Sequence, residues 1–310
     1  MKSLIIDVDT GIDDALALSY ALHSPELRVL GVTTSFGNIS VEEATRNTLS
    51  LLEMSGRPEI PVLPGAGKPI FRDDLKGKAT NVHGDDGLGN SHLPTPKITH
   101  KYEYASEFIV NQVTQLPGQV TVITVGPLTN LATALMREPA IAHSIARVVV
   151  MGGAVTVPGN ATPMAEANIY ADPEAAEYVF RSGAPLTLVG LDVTMQTLLK
   201  RTELQRWREE GTAFSRFLAN ITDFYMDAYK NFYPGIDGCA LHDPLAVGVA
   251  IDESFVKTTP MFVQVDTEGE LSLGRTIADR RPNRVVTPNM DVCLDVDAER
   301  FVSHFLSRVV

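Results

Sequence analysis

Four stretches of this chain are apolar at almost every position, so a strand built from any of them would bury both faces. They are "SLIIDV" at the N-terminus, "VTVITV" from Val120, "ARVVVMGG" from Ala146 and "PLTLVGLDV" from Pro185; "LRVLGVTTS" from Leu27 is a more mixed fifth. A strand buried on both faces belongs to a parallel sheet covered by helices on either side. Helical stretches of matching length follow: one from Ile12, "VEEATRNTLSLLEMS", "LTNLATALM", "PEAAEYVFRS" and a longer, more polar region around Trp207. The expected fold is α/β, a mostly parallel, Rossmann-like central sheet flanked by helices. "MFVQVDTEGELSLGRTIAD" adds a small C-terminal hairpin with "TEGE" as its turn, and "DAERFVSHFLSRV" is an amphipathic closing helix. No repeat, low-complexity tract or long linker divides the chain, so residues 1–310 are expected to form one domain.

Composition excludes more than it selects. A net charge of −12 argues against nucleic acid or an anionic membrane surface as partner. No apolar run approaches the ~20 residues that span a bilayer, and "LIIDVD" is broken by acids as no signal peptide is. Two cysteines, Cys239 and Cys293, are too few for a disulfide framework and read as reduced thiols. A soluble, cytoplasmic protein is the expectation.

In open α/β sheets ligands bind beyond the carboxyl ends of the strands. There the chain carries its polar clusters: "DVDTGIDD", "TSFGN", "GPLTN" and "MGGAVTVPGNATPMAEANIYADP". The first is the most demanding, with Asp7, Asp9, Asp13 and Asp14 between an apolar strand and an apolar helix. One aspartate can cap the helix and gain from its dipole. Several crowded into poorly solvated space must be protonated, paired or bound to a metal, and all-oxygen ligands suit Ca²⁺ or Mg²⁺. An Asp-x-Asp after a first strand also opens phosphatases of the haloacid dehalogenase type, with Asp7 as nucleophile; the fit is poor, because "DVDTG" departs from the DxDGT pattern.

The other clusters are individually ambiguous. Asn160, Glu166 and Asn168 are either a turn-rich loop or a reader of vicinal hydroxyls. His83 in "NVHGDDGLGN" is either a structural loop histidine or a catalytic one. Val125, before "GPLTN", offers a backbone carbonyl. In "CALHDPLAVGVAI", Asp243 caps an apolar helix or binds a metal, and His242 beside it is a candidate proton donor. Tyr225 and Tyr229, four apart, are packing residues or contacts for a flat ring. The irregular stretch Lys68–His100 is long enough to be a binding loop or lid.

Together, "DVDTGIDDALAL", "GPLTNLA", "VVVMGG", "NATPMAEANIYADPEAA" and "LHDPLAV" occur in an order that resembles the inosine-uridine-preferring nucleoside hydrolases, nearly end to end. The resemblance implies hydrolysis of the N-glycosidic bond of ribonucleosides around a Ca²⁺ at the pocket floor, in a homodimer or homotetramer. It implies Asp9, Asp14, Asp243 and the Val125 carbonyl as metal ligands and Asp13 as general base. Asn38, Asn160, Glu166 and Asn168 would line the ribose site, with His83 and His242 on the base side. Two departures are visible: Thr10 stands where the family has proline, and Ala167 where some members carry an aromatic. Purine against pyrimidine preference stays open, although His83, His242 and the tyrosine pair resemble the broad or pyrimidine-leaning members.

The chemistry explains the residue types. Cleaving a C–N glycosidic bond builds an oxocarbenium-like sugar that needs nearby carboxylates. It also needs a water, a base to activate it and an acid or its equivalent for the departing nucleobase. A non-catalytic nucleoside-binding protein is a third possibility, disfavoured by the presence of Asp13 and a candidate acid together.

Overall fold

The computed structural model describes residues 1–281 and 286–309. It begins β1 (Lys2–Val8), α1 (Ile12–Leu22), β2 (Leu27–Thr34), α2 (Val41–Met54) and β3 (Val62–Pro64). The long irregular stretch that follows contains a single turn of helix, α3 (Thr80–His83). The alternation resumes with α4 (Ala105–Gln115), β4 (Val120–Thr124), α5 (Thr129–Arg137) and β5 (Arg147–Met151), then α6 (Ala167–Ala171), α7 (Pro173–Phe180) and β6 (Leu186–Val189). Next come α8 (Leu191–Thr194), β7 (Leu198–Leu199), α9 (Arg201–Glu209), α10 (Ala213–Phe232), β8 (Cys239–Ala240) and α11 (His242–Ile251). The last part is β9 (Val256–Met261), β10 (Val263–Val265), β11 (Thr276–Ala278), β12 (Met290–Val296) and α12 (Ala298–Val309).

Eight strands form one sheet in the order β3-β2-β1-β4-β5-β6-β12-β9. All neighbours run parallel except β9, which is antiparallel to β12. Side chains of β1 alternate between the two faces: Leu4, Ile6 and Val8 join one apolar core, and Ile5 joins the other. This alternation is why a strand buried on both sides must be apolar throughout. The chain leaves β1 toward β2 and β3 on one flank and returns to β4 on the other. The switch point therefore lies between β1 and β4, and a crevice opens there beyond the strand ends.

Two expectations needed correction. The hairpin forms from β10 and β11, but its connection runs over residues 266–275 rather than turning at "TEGE" alone. Asp266 organises it by accepting Glu268 N–H (3.0 Å), Gly269 N–H (2.8 Å) and the Ser272 hydroxyl. The apolar run from Pro185 splits: β6 ends at Val189, and the residues after Gly190 start α8. The sheet also continues past β6 into β12 and β9, which the apolar pattern does not announce. Trp207 sits on the otherwise polar α9 yet is fully buried, its ring 6.1 Å from Phe305 of α12. Both cysteines are buried free thiols. Among the described residues no helix is long and apolar enough to cross a membrane.

Helix α12 docks by a ring cluster in which Tyr20 of α1 meets Phe301 and Phe305 edge-on, with centroids 6.3 and 5.3 Å away. Phe305→Ala should cost roughly 3–5 kcal/mol through the cavity it leaves. Equilibrium urea unfolding reads this directly, and a loss below about 1 kcal/mol would mean that α12 is not part of the core.

Candidate active site

The crevice at the β1/β4 switch point is a cleft of about 450 Å³, within the range of small-molecule sites. Loops after β1, β2, β4 and β5 supply its floor, and α10 and the start of α11 supply one wall. The turn after β1 is tight because Gly11 has no side chain. A Cβ there would stand 2.6 Å from His83 Nδ1 and 3.0 Å from Asn38 Nδ2. Asp9 is walled in the same way. A Cβ on Gly37 (φ +151°) would fall 2.0 Å from its Oδ2, and one on Gly126 would fall 3.0 Å from its Cγ.

Asp14 is the best-held acid. Its carboxylate accepts Asp9 N–H (3.0 Å), Gly11 N–H (2.9 Å) and Asn38 Nδ2–H (3.2 Å) at the N-terminus of α1. Asp9 Oδ2 accepts Asn38 N–H at 2.7 Å, while its Oδ1 is buried without a partner. Asp13 faces the cleft; its Oδ2 accepts the Tyr225 hydroxyl at 3.3 Å and its Oδ1 has no partner. Asp243 comes from the first turn of α11. Carboxylate oxygens of Asp13, Asp14 and Asp243 lie within 4.8 Å of one another, all buried. Burial pushes the carboxyls of Asp9 and Asp13 up, to about 6 and about 7, and those of Asp14 and Asp243 well above the usual carboxylate range. For Asp13, Asp14 and Asp243 the neighbouring acids add to that effect.

These residues fit a hard divalent cation. The donors are all oxygen, and two buried carboxylate oxygens lack any protein partner. Val125 also lines the cleft; its carbonyl accepts Asn168 Nδ2–H at 2.8 Å and keeps a second lone pair. The close trio includes Asp13, which the sequence reading cast as base, whereas Asp9 lies beside it and acts on Asp14 and Asp243 by charge.

The ribose-side candidates converge on the same cleft. Glu166 caps α6: Oε1 accepts Asn168 N–H (2.9 Å), and Oε2 accepts Gly153 N–H (3.0 Å) and Ile169 N–H (3.1 Å). Asn160 sits at the exposed rim, where its Oδ1 accepts Ala167 N–H at 3.0 Å. Thr10, in place of the family's proline, shares a hydrogen bond of 2.7 Å between its hydroxyl and that of Thr48 on α2.

On the opposite wall His83 Nδ1 accepts Ile12 N–H at 3.0 Å, and the ring stacks on Tyr225 (5.5 Å, 26°). Burial drives its pKa down to about 3, so its 4.0 Å approach to Asp13 is not an ion pair. His242 has both nitrogens engaged, Nδ1 with the Thr194 hydroxyl (2.7 Å) and Nε2 with the Tyr229 hydroxyl (2.6 Å). His242 also lines the cleft, its ring held between the Thr194 and Tyr229 hydroxyls. Tyr229 and Tyr225 hydroxyls are 3.4 Å apart, completing a chain from Thr194 to Asp13. With Asp13 ionised the chain has one polarity. Tyr225 donates to Asp13, Tyr229 to Tyr225, His242 Nε2–H to Tyr229, and Thr194 to Nδ1.

Asp7 is absent from the cleft. It is fully buried in β1, where it accepts Asn130 Nδ2–H (2.8 Å) and the Thr33 hydroxyl. A phosphatase nucleophile there would have no access to substrate, so that alternative is not favoured. Sequence reasoning missed Thr194, which follows β6 at the same carboxyl edge and was open to that rule. It also missed Lys76, whose loop has no periodicity to flag it.

The family model for "Inosine-uridine preferring nucleoside hydrolase" matches residues 4–303. The chain is 40% identical over 306 residues to "Pyrimidine-specific ribonucleoside hydrolase RihA" of Klebsiella pneumoniae subsp. pneumoniae, covering 99% of this chain and 97% of that one. It is 41% identical over 279 residues to "Probable uridine nucleosidase 2" of Oryza sativa subsp. japonica, covering 90% and 82%. The structure of a "Purine-Preferring Ribonucleoside Hydrolase from Gardnerella vaginalis" superposes with a TM-score of 0.95 at 42% identity, covering 99% and 98%. A crevice at the right switch point, a convergent carboxylate floor and a match along nearly the whole chain agree: the protein belongs to the inosine-uridine preferring nucleoside hydrolase family and is an N-glycosyl hydrolase of ribonucleosides.

Proposed function

We propose that this enzyme hydrolyses ribonucleosides of the uridine, cytidine and inosine type in a Ca²⁺-dependent reaction, giving ribose and free base for salvage. The observation that carries the metal reading is the meeting of Asp13, Asp14 and Asp243 within 4.8 Å, beside two buried carboxylate oxygens with no protein partner. Asp9, Asp14, Asp243 and the Val125 carbonyl would hold the ion. Bound there, Ca²⁺ supplies a positive centre that chelates a sugar diol and makes a neighbouring water more acidic. The family resemblance supports a homodimer or homotetramer, and the sequence's lack of a spanning or signal segment supports a cytoplasmic place for it.

The chain's own groups then divide the work. Asn38, Asn160, Glu166 and Asn168 hold the ribose hydroxyls, and fixing the sugar lowers the entropic part of the barrier. Asp13, which lines the cleft and has Oδ1 without a protein partner, takes the water's proton as the water oxygen attacks C1′. The negative charge of Asp13 and Glu166 favours the oxocarbenium-like sugar. His83, Tyr225 and Tyr229 line the base side, with His242 linked to it through Tyr229.

A panel of ribonucleosides and 2′-deoxyribonucleosides, assayed for free base, tests the reaction. Base release from uridine or inosine but not from their 2′-deoxy forms is expected, and release of phosphate from a phosphomonoester instead would overturn the reading. Asp13→Asn should lower kcat by roughly 10²–10⁴-fold while calorimetry still detects Ca²⁺ binding. A variant that keeps kcat and only raises KM would overturn Asp13 as the base.

Stability should follow the same acids. Asp7, Asp9 and Asp13 hold folded pKa values of about 7, 6 and 7 against 3.8. The folded metal-free protein therefore keeps protons that the unfolded chain has already released. The contribution of these acids to stability is greatest below about pH 4 and is lost as pH rises to about 7, whereas His83 and His242, lowered to about 3 and about 4, act in the opposite sense. A cation must displace the protons held by its own ligands, so the rise in Tm on adding Ca²⁺ should be larger at pH 8 than at pH 5. An equal rise at both, or none, would refute the metal site.

A further inference from the structure

Heterolysis of an N-glycosidic bond makes two opposite charges. The cleft's acids answer the positive one on the sugar and oppose the negative one on the departing base. Among the described residues that line the cleft, two are cationic, Lys76 and Lys78. Lys78 is paired with Glu43 at 2.7 Å. The half-buried Lys76 makes one bond, from Nζ to Asn38 Oδ1 at 3.3 Å. An ammonium has three donors, so two remain for a ligand. Its position is at the junction of the two halves of the site. Asn38 belongs to the carboxylate floor through Asp9 and Asp14, and the Lys76 charge is felt at Asp9, Asp13 and Glu166 as well as at His83 on the base wall. The histidines offer no comparable charge: His242 has both nitrogens taken by hydroxyls, and His83 Nδ1 accepts a backbone N–H.

We propose that Lys76 is a catalytic residue that stabilises the departing nucleobase anion, at the acceptor atom next to the glycosidic nitrogen. That atom is O2 in a pyrimidine and N3 in a purine, so one cation serves both classes. The inference rests on the nucleoside hydrolase reading above. The C1′–N bond breaks with its electron pair passing to the base: in uracil it spreads onto O2, and in hypoxanthine it is shared by N9 and N7, so the Lys76 ammonium meets O2 or the N3 lone pair that flanks the charged N9. Water oxygen bonds to C1′, its proton goes to the base carboxylate, and Lys76 keeps its own proton throughout. After release the nucleobase anion takes a proton from solvent, and the carboxylic acid returns one.

The test compares substrates that need this help with one that does not. Lys76→Met and Lys76→Arg are assayed on uridine, inosine and p-nitrophenyl β-D-ribofuranoside, whose phenolate departs unprotonated. Lys76→Met should lower kcat on both nucleosides by roughly 10²-fold, the usual cost of losing one electrostatic stabiliser. Its kcat on the nitrophenyl riboside should change by less than about threefold, and Lys76→Arg should recover most of the nucleoside rate. Equal losses on all three substrates would overturn the proposal in favour of a role through Asn38. Unchanged nucleoside rates would overturn it outright. A wild-type enzyme that splits no nucleoside would instead defeat the functional reading, so the two failures are separable.

Discussion

Mutual repulsion among buried carboxylates is the constraint around which this molecule is arranged. At the 4.8 Å that spans Asp13, Asp14 and Asp243, each like-charged pair costs on the order of 3–4 kcal/mol at an effective dielectric of 20. The fold offsets part of this with fixed dipoles. Asp14 alone receives two backbone N–H groups and the Asn38 amide at the positive end of α1. The remainder is left uncompensated at Asp9 Oδ1 and Asp13 Oδ1, as suits a floor built to take a cation.

Such a floor needs a rigid frame, and the sheet provides one. β1 is central, with β2 and β4 hydrogen-bonded on either side, so the turn at its end cannot drift. Asp7 secures it from beneath. The Asn130 amide that donates to Asp7 also donates to the Thr34 carbonyl (3.0 Å) and accepts Ala66 N–H (2.8 Å). One buried side chain at the start of α5 thereby ties β1, the end of β2 and the loop after β3 together. Glycine at 11, 37 and 126 lets these loops close on one another, since a methyl group at any of them would meet a site side chain at 3.0 Å or less.

Much of this was legible in the sequence because it rests on short-range patterns. The doubly apolar runs became β1, β4, β5 and β6, and the polar clusters after them became the cleft. Asp243 and His242 are more than 220 residues from Asp13, and only the resemblance joined them to it. β12 escaped because "MDVCLDV" mixes exposed acids with buried residues, and pairs with β6 over three positions alone. Thr194, Tyr229 and His242 form a chain no spacing reveals, because α8, α10 and α11 meet only in three dimensions. Lys76 lies on a loop whose course is set by side-chain contacts rather than by periodicity.

Base preference is a separate matter from bond cleavage. The chain is 40% identical to a relative named pyrimidine-specific and 42% identical to one named purine-preferring, so overall similarity does not decide between them. Nor does the carboxylate floor, which on the proposed reading meets the ribose common to every nucleoside. A cation beside the atom next to the glycosidic nitrogen is equally indifferent, since both ring systems place an acceptor there. Discrimination has to come from groups that meet the far side of the ring. The exposed or half-exposed apolar residues that line the cleft, and so the candidates for that contact, are Leu75 on the loop before α3, Phe232 at the end of α10 and Tyr233 just beyond it. Leu75 and Phe232 are 39% and 53% exposed, so neither is locked by packing. A wall of exposed apolar side chains can repack around one ring or two. Such a wall discriminates by only ~1–3 kcal/mol, against the larger factors that buried hydrogen-bonding groups achieve. The physics of this site thus favours a strict requirement for the sugar and a graded one for the base.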